Sequence, residues 1–162
     1  MAALTYASPT AVEIAEMLTS LLGKDTTARK NPAVDFDGTA NWIFAVYDEE
    51  DGTLGAVIAC DVATAAYGGA ALSLIPASMA QDSIRAGQVA ENLSENFREV
   101  LNVCAGLFNS PGTPRLKLGH YSEPPDEAGE GLVAWFGEAE QKIGLDINID
   151  GYGKGRMVVY VD

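Results

Sequence analysis

Leu93-Ser94-Glu95-Asn96-Phe97-Arg98-Glu99-Val100-Leu101-Asn102-Val103-Cys104-Ala105-Gly106-Leu107-Phe108 carries apolar side chains at 93, 97, 100, 101, 104, 107 and 108. That spacing is the one-sided stripe of an amphipathic helix packed on a core. It predicts one long helix over about 80–109, with Ser78 as its cap and Gln81 completing a capping box. The opposite side presents Gln88, Glu95, Glu99, Asn102 and Gly106. Glu99 and Asn102 stand three apart, so their side chains leave neighbouring turns in the same direction. Gly106, one turn further, removes bulk from that side. A glycine inside a helix costs roughly 1 kcal/mol relative to alanine, so its presence there suits a close approach.

Outward from this helix the chain divides into two similar halves. Ser8-Pro9 opens a first helix with the stripe Val12, Ala15, Leu18, Leu22, and Gly23 ends it. Lys24–Pro32 is polar and basic and reads as a loop, followed by a short strand at Val34–Phe36. Trp42–Tyr47 and Leu54–Cys60 are extended runs, and Asp48-Glu49-Glu50-Asp51-Gly52 is the acidic turn between them. Asp61 is placed to cap a helix from Val62 to about Leu74. Gly68-Gly69 inside it either breaks the helix, kinks it or lets a neighbour pack tightly. In the second half, Leu116–Tyr121 reads as a strand and 132–141 is ambiguous between strand and helix. Leu145-Asp146-Ile147-Asn148-Ile149 alternates, the glycines of 151–155 turn the chain, and Met157–Val161 returns.

Each half gives helix, short strand, then hairpin. The expected fold is therefore α+β, a single domain over 1–162 with an internal pseudo-repeat at about 9–76 and 77–162. Its two hairpins and two short strands form one antiparallel sheet, with the helices, the long one among them, covering one face. The exposed strand ends are compatible with a homodimer.

The 162 residues, 48% hydrophobic and 20% charged, suit one globular domain with a real core. A formal charge of −13 argues against nucleic acid, whose phosphates would be repelled. No apolar run is long enough to span a bilayer, and the first residues lack a leader pattern, so a cytoplasmic protein without a membrane role is expected. Cys60 and Cys104 lie in apolar contexts and read as buried thiols, not metal ligands. His120 is the lone histidine, no Gly-x-Ser-x-Gly elbow accompanies it, and no nucleotide-binding glycine fingerprint is present. Chemistry in this chain thus falls to other polar groups. A carboxamide donates and accepts hydrogen bonds without titrating, which suits it to holding a water in line with phosphorus. A neighbouring carboxylate can pair with a partner's lysine.

Glu99-Val-Leu-Asn102 followed by Gly106 resembles the Glu-x-x-Asn segment of the CheC/CheX family of chemotaxis phosphatases. Pro125 stands where that family has a proline at a fixed distance after the asparagine. The length and the helix–strand–hairpin duplication are similar too. Glu95 occupies a position where the family often has Asp or Ser, and Leu101 replaces the usual glycine before the asparagine. The first helix offers Glu13 and Glu16 and no asparagine, so one site per chain is expected, as in the CheX branch. The resemblance implies a phosphatase for a phosphorylated CheY-like response regulator. Asn102 would orient the attacking water and Glu99 would pair with the regulator's lysine. Glu95 and Gly106 would meet the partner, and Pro125 would shape the nearby loop. It implies no cofactor of the chain's own, the partner carrying the Mg ion. The alternative is a non-catalytic adaptor, a binding module like those of the flagellar switch.

Overall fold

The computed structural model describes residues 5–38, 41–124 and 129–162. Five helices, α1 (Ala11–Leu22), α2 (Val62–Leu72), α3 (Ala77–Ala86), α4 (Glu91–Cys104) and α5 (Glu130–Glu138), accompany six strands. The strands are β1 (Thr26–Lys30), β2 (Trp42–Asp48), β3 (Leu54–Asp61), β4 (Lys117–Ser122), β5 (Gln141–Ile149) and β6 (Gly153–Val161). They make one antiparallel sheet in the order β1-β5-β6-β3-β2-β4. That order is unchanged when β1, β2 and β3 are exchanged with β4, β5 and β6.

Period-two alternation sends the two sets of strand residues to opposite faces. Ile43, Ala45, Tyr47, Ile58, Leu145, Ile147 and Val159 face the layer of α1, α2, α3 and α4. Phe44, Val57, Ala59, Val158 and Tyr160 face the other way, under Phe36 and the Leu132, Trp135 and Phe136 of α5. Phe136 stacks on Tyr160 with 4.2 Å between ring centroids. The helices therefore do not all lie on one side: α5, the segment left ambiguous in sequence, covers the second face.

The expected strand at Val34–Phe36 is displaced. The strand is Thr26–Lys30, inside the stretch read as a loop. An edge strand with one neighbour needs little apolar side chain, so Thr-Thr-Ala-Arg-Lys gives no alternation signal. Val34 and Phe36 are apolar because they lie across the second face, not because they pair. The first helix begins at Ala11 with Thr10 as its cap in place of Ser8, and its buried stripe is Ile14, Leu18 and Leu22; Val12 is 65% exposed.

The single long helix is also corrected. Gly87 adopts φ +70° and its N–H reaches back to the Ser83 and Ile84 carbonyls, which ends α3. Ser83 Oγ then accepts the Ala90 N–H at 2.9 Å, where α4 begins. Ser78 lies inside α3, one residue past its start, and forms no capping box. The apolar stripe itself starts only at Leu93, so periodicity never supported the N-terminal extension. After Cys104 the helix tightens to a 3₁₀ turn, Ala105–Phe108. Among the described residues no helix is long and apolar enough to cross a membrane.

Candidate functional site

The outward side of α4 holds Glu95, Glu99 and Asn102, all exposed. At 3.6 residues per turn they fall within about 60° of one another around the helix. Among the described residues none of the three side chains has a hydrogen-bond or ionic partner. Gly106, exposed in the 3₁₀ turn, continues this side. A Cβ built there would meet only the Met17 methyl, at 4.0 Å. Thus the acid, the amide and the bare backbone position lie on one free surface. Pro125 lies outside the described residues.

What holds α4 at its height is buried beneath it. Gly68 and Gly69 do not break α2; they let α4 approach. A Cβ on Gly69 would stand 2.2 Å from the Leu93 carbonyl oxygen, and one on Gly68 would stand 2.9 Å from the Phe97 ring. Asn96 Nδ2 donates to the Gly69 carbonyl and to Ser73 Oγ, both at 2.9 Å.

The C-terminal half is fixed through Tyr47. The switch to 3₁₀ turns the Ala105 N–H toward the carbonyls of Asn102 and Val103 and away from that of Leu101. The Tyr47 hydroxyl donates to the Leu101 carbonyl at 2.6 Å. A helix carbonyl left over by the tightening is thereby satisfied from the sheet, directly before Asn102. Burial pushes the Tyr47 hydroxyl well above its ordinary pKa, so it stays a donor. Toward the other end, Ser94 bonds the Tyr121 hydroxyl at 3.2 Å and donates to the Glu123 carboxylate. The Arg98 guanidinium lies over the Tyr121 ring, 5.7 Å from its centroid.

Sequence reasoning found the presented residues and missed these supports. The Gly-Gly pair in a small-residue helix was the one legible sign; nothing local in the sequence pairs Tyr47 with Leu101, 54 residues away. His120 is exposed on β4 and belongs to none of these contacts. Cys60 and Cys104 are buried free thiols. Burial pushes the Cys104 thiol up to about 12 and Cys60 well above its usual value, so neither is a ready nucleophile.

No protein-family model matches the chain, and no curated protein sequence matches it. Solved structures do. The chain is similar to the FliM–SpeE complex of H. pylori, with TM-score 0.60 and 11% identity, over 93% of this chain and 80% of that one. It is similar to the FliM middle domain from H. pylori, with TM-score 0.53 and 12% identity, over 93% and 84%. The fold is that of the FliM middle domain. A chemotaxis protein CheX from Desulfovibrio desulfuricans also matches over 91% of this chain and 93% of that one, at 11% identity. Its TM-score is 0.40.

Proposed function

We propose that this chain is a phosphatase of a phosphorylated CheY-like response regulator, acting through Asn102 and Glu99. The observation that carries the reading is the free pair itself. An acid and an amide stand one turn apart on a rigid helix, aimed at solvent, with no partner among the described residues. Such a pair needs no acid or base of its own if the bond to be broken is an acyl phosphate. Water adds to phosphorus and the bond from phosphorus to the aspartyl oxygen breaks. The partner's carboxylate leaves as an anion, since its conjugate acid has a pKa of about 3.9, well below neutral pH, and the water's protons stay with the released phosphate. The work left to the phosphatase is placement. Asn102 accepts from and donates to the water, holding it in line, while Glu99 pairs with the regulator's lysine and fixes the register. Glu95 extends the contact one turn back, and the bare Gly106 position lets the partner's surface come close. The regulator carries the Mg ion, and this chain supplies no cofactor.

Two further points belong to the same reading. The sheet order, unchanged on exchanging the two sets of strands, supports the two halves as diverged copies within one domain. Only the second copy has the asparagine.

The test is the lifetime of the phosphorylated regulators encoded in the same genome, measured with and without the purified chain. The reading expects one of them to lose phosphate faster, and Asn102→Ala to remove about a hundredfold or more of that acceleration. Unaltered turnover in Asn102→Ala would end the mechanism. A second reading is a non-catalytic adaptor, in keeping with a fold shared with FliM, which has been solved in complexes with SpeE and with FliG. It expects binding to a regulator or a motor component with no change in phosphate lifetime.

A further inference from the structure

At the opposite edge of the sheet from β4, β1 has β5 as its one strand neighbour among the described residues. Antiparallel pairing turns the backbone groups of alternate residues away from the neighbour. The outward set is fixed by two observations. The Thr26 N–H and C=O both engage Thr19 Oγ1, at 3.0 and 3.2 Å, and the Asn31 N–H reaches the Gly144 carbonyl of β5. Thr26, Ala28 and Lys30 therefore direct their N–H and C=O outward. Thr26 is satisfied by α1; Ala28 and Lys30 have no backbone partner along this edge among the described residues.

Two grooves flank this open edge. On the second face of the sheet, a concavity of about 890 Å³ is lined by Thr27, Arg29, Asn148, Lys154 and Arg156. Arg29, Lys154 and Arg156 bring three cations to that face in a chain of net charge −13, and Lys30 borders the concavity from the end of β1. Of its two carboxylates one is charge-paired and the other keeps its charge against a neutral donor, so the cations remain in excess. Asp61 pairs with Arg156 at 3.3 Å, and Asp146 accepts from Asn31 Nδ2 at 2.9 Å. Arg29, Lys30 and Lys154 form no ion pair among the described residues. On the helix side, a shallower groove of about 470 Å³ lies between α1 and β1, lined by Val12, Ala15, Thr19 and Ala28, with Glu16 at its wall.

We propose that the β1 edge is a docking strand for an extended acidic segment of a partner protein, which adds to the sheet beside β1. Alternation sets its side chains: acids enter the cationic groove, and small aliphatics enter the α1 groove, where Glu16 would repel an acid. Charge complementarity selects this occupant. A second copy paired edge to edge would bring two cationic grooves together, which like-charge repulsion opposes. The inference is independent of Asn102 and Glu99.

A fluorescein-labelled peptide alternating glutamate and valine, titrated with the intact chain and read by anisotropy, tests it. Saturable binding is expected, weaker for a peptide with the same residues in two blocks. Arg29→Glu with Lys154→Glu should weaken binding roughly tenfold or more. Lys30→Pro removes one outward N–H without touching the β5 ladder and should abolish binding, whereas Lys30→Gln keeps most of it. If Lys30→Pro proves unfolded by circular dichroism, a peptide N-methylated at alternate amides replaces it, and one methylation phase should fail to bind. Absence of saturable binding overturns the proposal, as does equal binding by the Pro and Gln variants. Full competition by inorganic phosphate would mean a simple anion site, and a chain dimer lost in Lys30→Pro would give the edge to a second copy.

Discussion

α1 and α4 hold corresponding places, each leading into a short edge strand and a hairpin, yet they use their glutamates differently. In α1, Glu13 sits at the third helical position. Its carboxylate accepts the Thr10 N–H at 3.1 Å while Thr10 Oγ1 accepts the Glu13 N–H, a closed capping box. In α4, Glu99 lies in the helix interior, three residues before Asn102, and neither closes on a neighbour. A start without a side-chain cap accompanies this. One helical scaffold can turn its acid inward to its own backbone or leave it outward to solvent. Position along the helix decides which.

Five measurements bear on the difference between the two helices. The largest effect belongs to Asn102→Ala, which should reduce regulator dephosphorylation about a hundredfold or more while leaving the melting temperature in place, since the side chain is exposed. Gly69→Ala should cost about 1–3 kcal/mol in denaturant unfolding, because the Leu93 carbonyl must move, and should lower the rate by lifting α4. Tyr47→Phe leaves the buried Leu101 carbonyl unpaired; a loss of about 1–2 kcal/mol is expected, with faster amide exchange at the end of α4. Glu13→Ala opens the capping box and should cost about 1 kcal/mol with no effect on turnover. Smallest of all, Glu16→Asn writes the Glu-x-x-Asn pattern into α1. No gain in activity is expected, because Glu13 is held in the box; a second active site in that variant would dissolve the contrast.

Much of the fold is legible from residue order alone. The hairpins β2–β3 and β5–β6 announce themselves by alternation around Asp/Gly turns, and Asp61 by its place before Val62. β1 is hidden because its residues meet a neighbour on one edge only and need not be apolar. Val34 and Phe36 mislead because their burial comes from lying over the sheet. The division at Gly87 was readable in principle, as a glycine followed by a stretch without helical stripe. For the candidate site, periodicity alone placed Glu99 and Asn102 outward. Their supports depend on contacts between segments distant along the chain, which local pattern does not encode.

The approach of Gly69 to the Leu93 carbonyl bears on how such a molecule can diverge. The height of α4 is set from below, by a hydrogen atom on another helix, while the side chains of Glu95, Glu99 and Asn102 have no hydrogen-bond or ionic partner among the described residues. A lineage is free to trade asparagine for another side chain at that surface, and so to change what the surface can do, with no penalty to the core. Drift at Gly69 has no such freedom, since any larger residue there moves the whole platform.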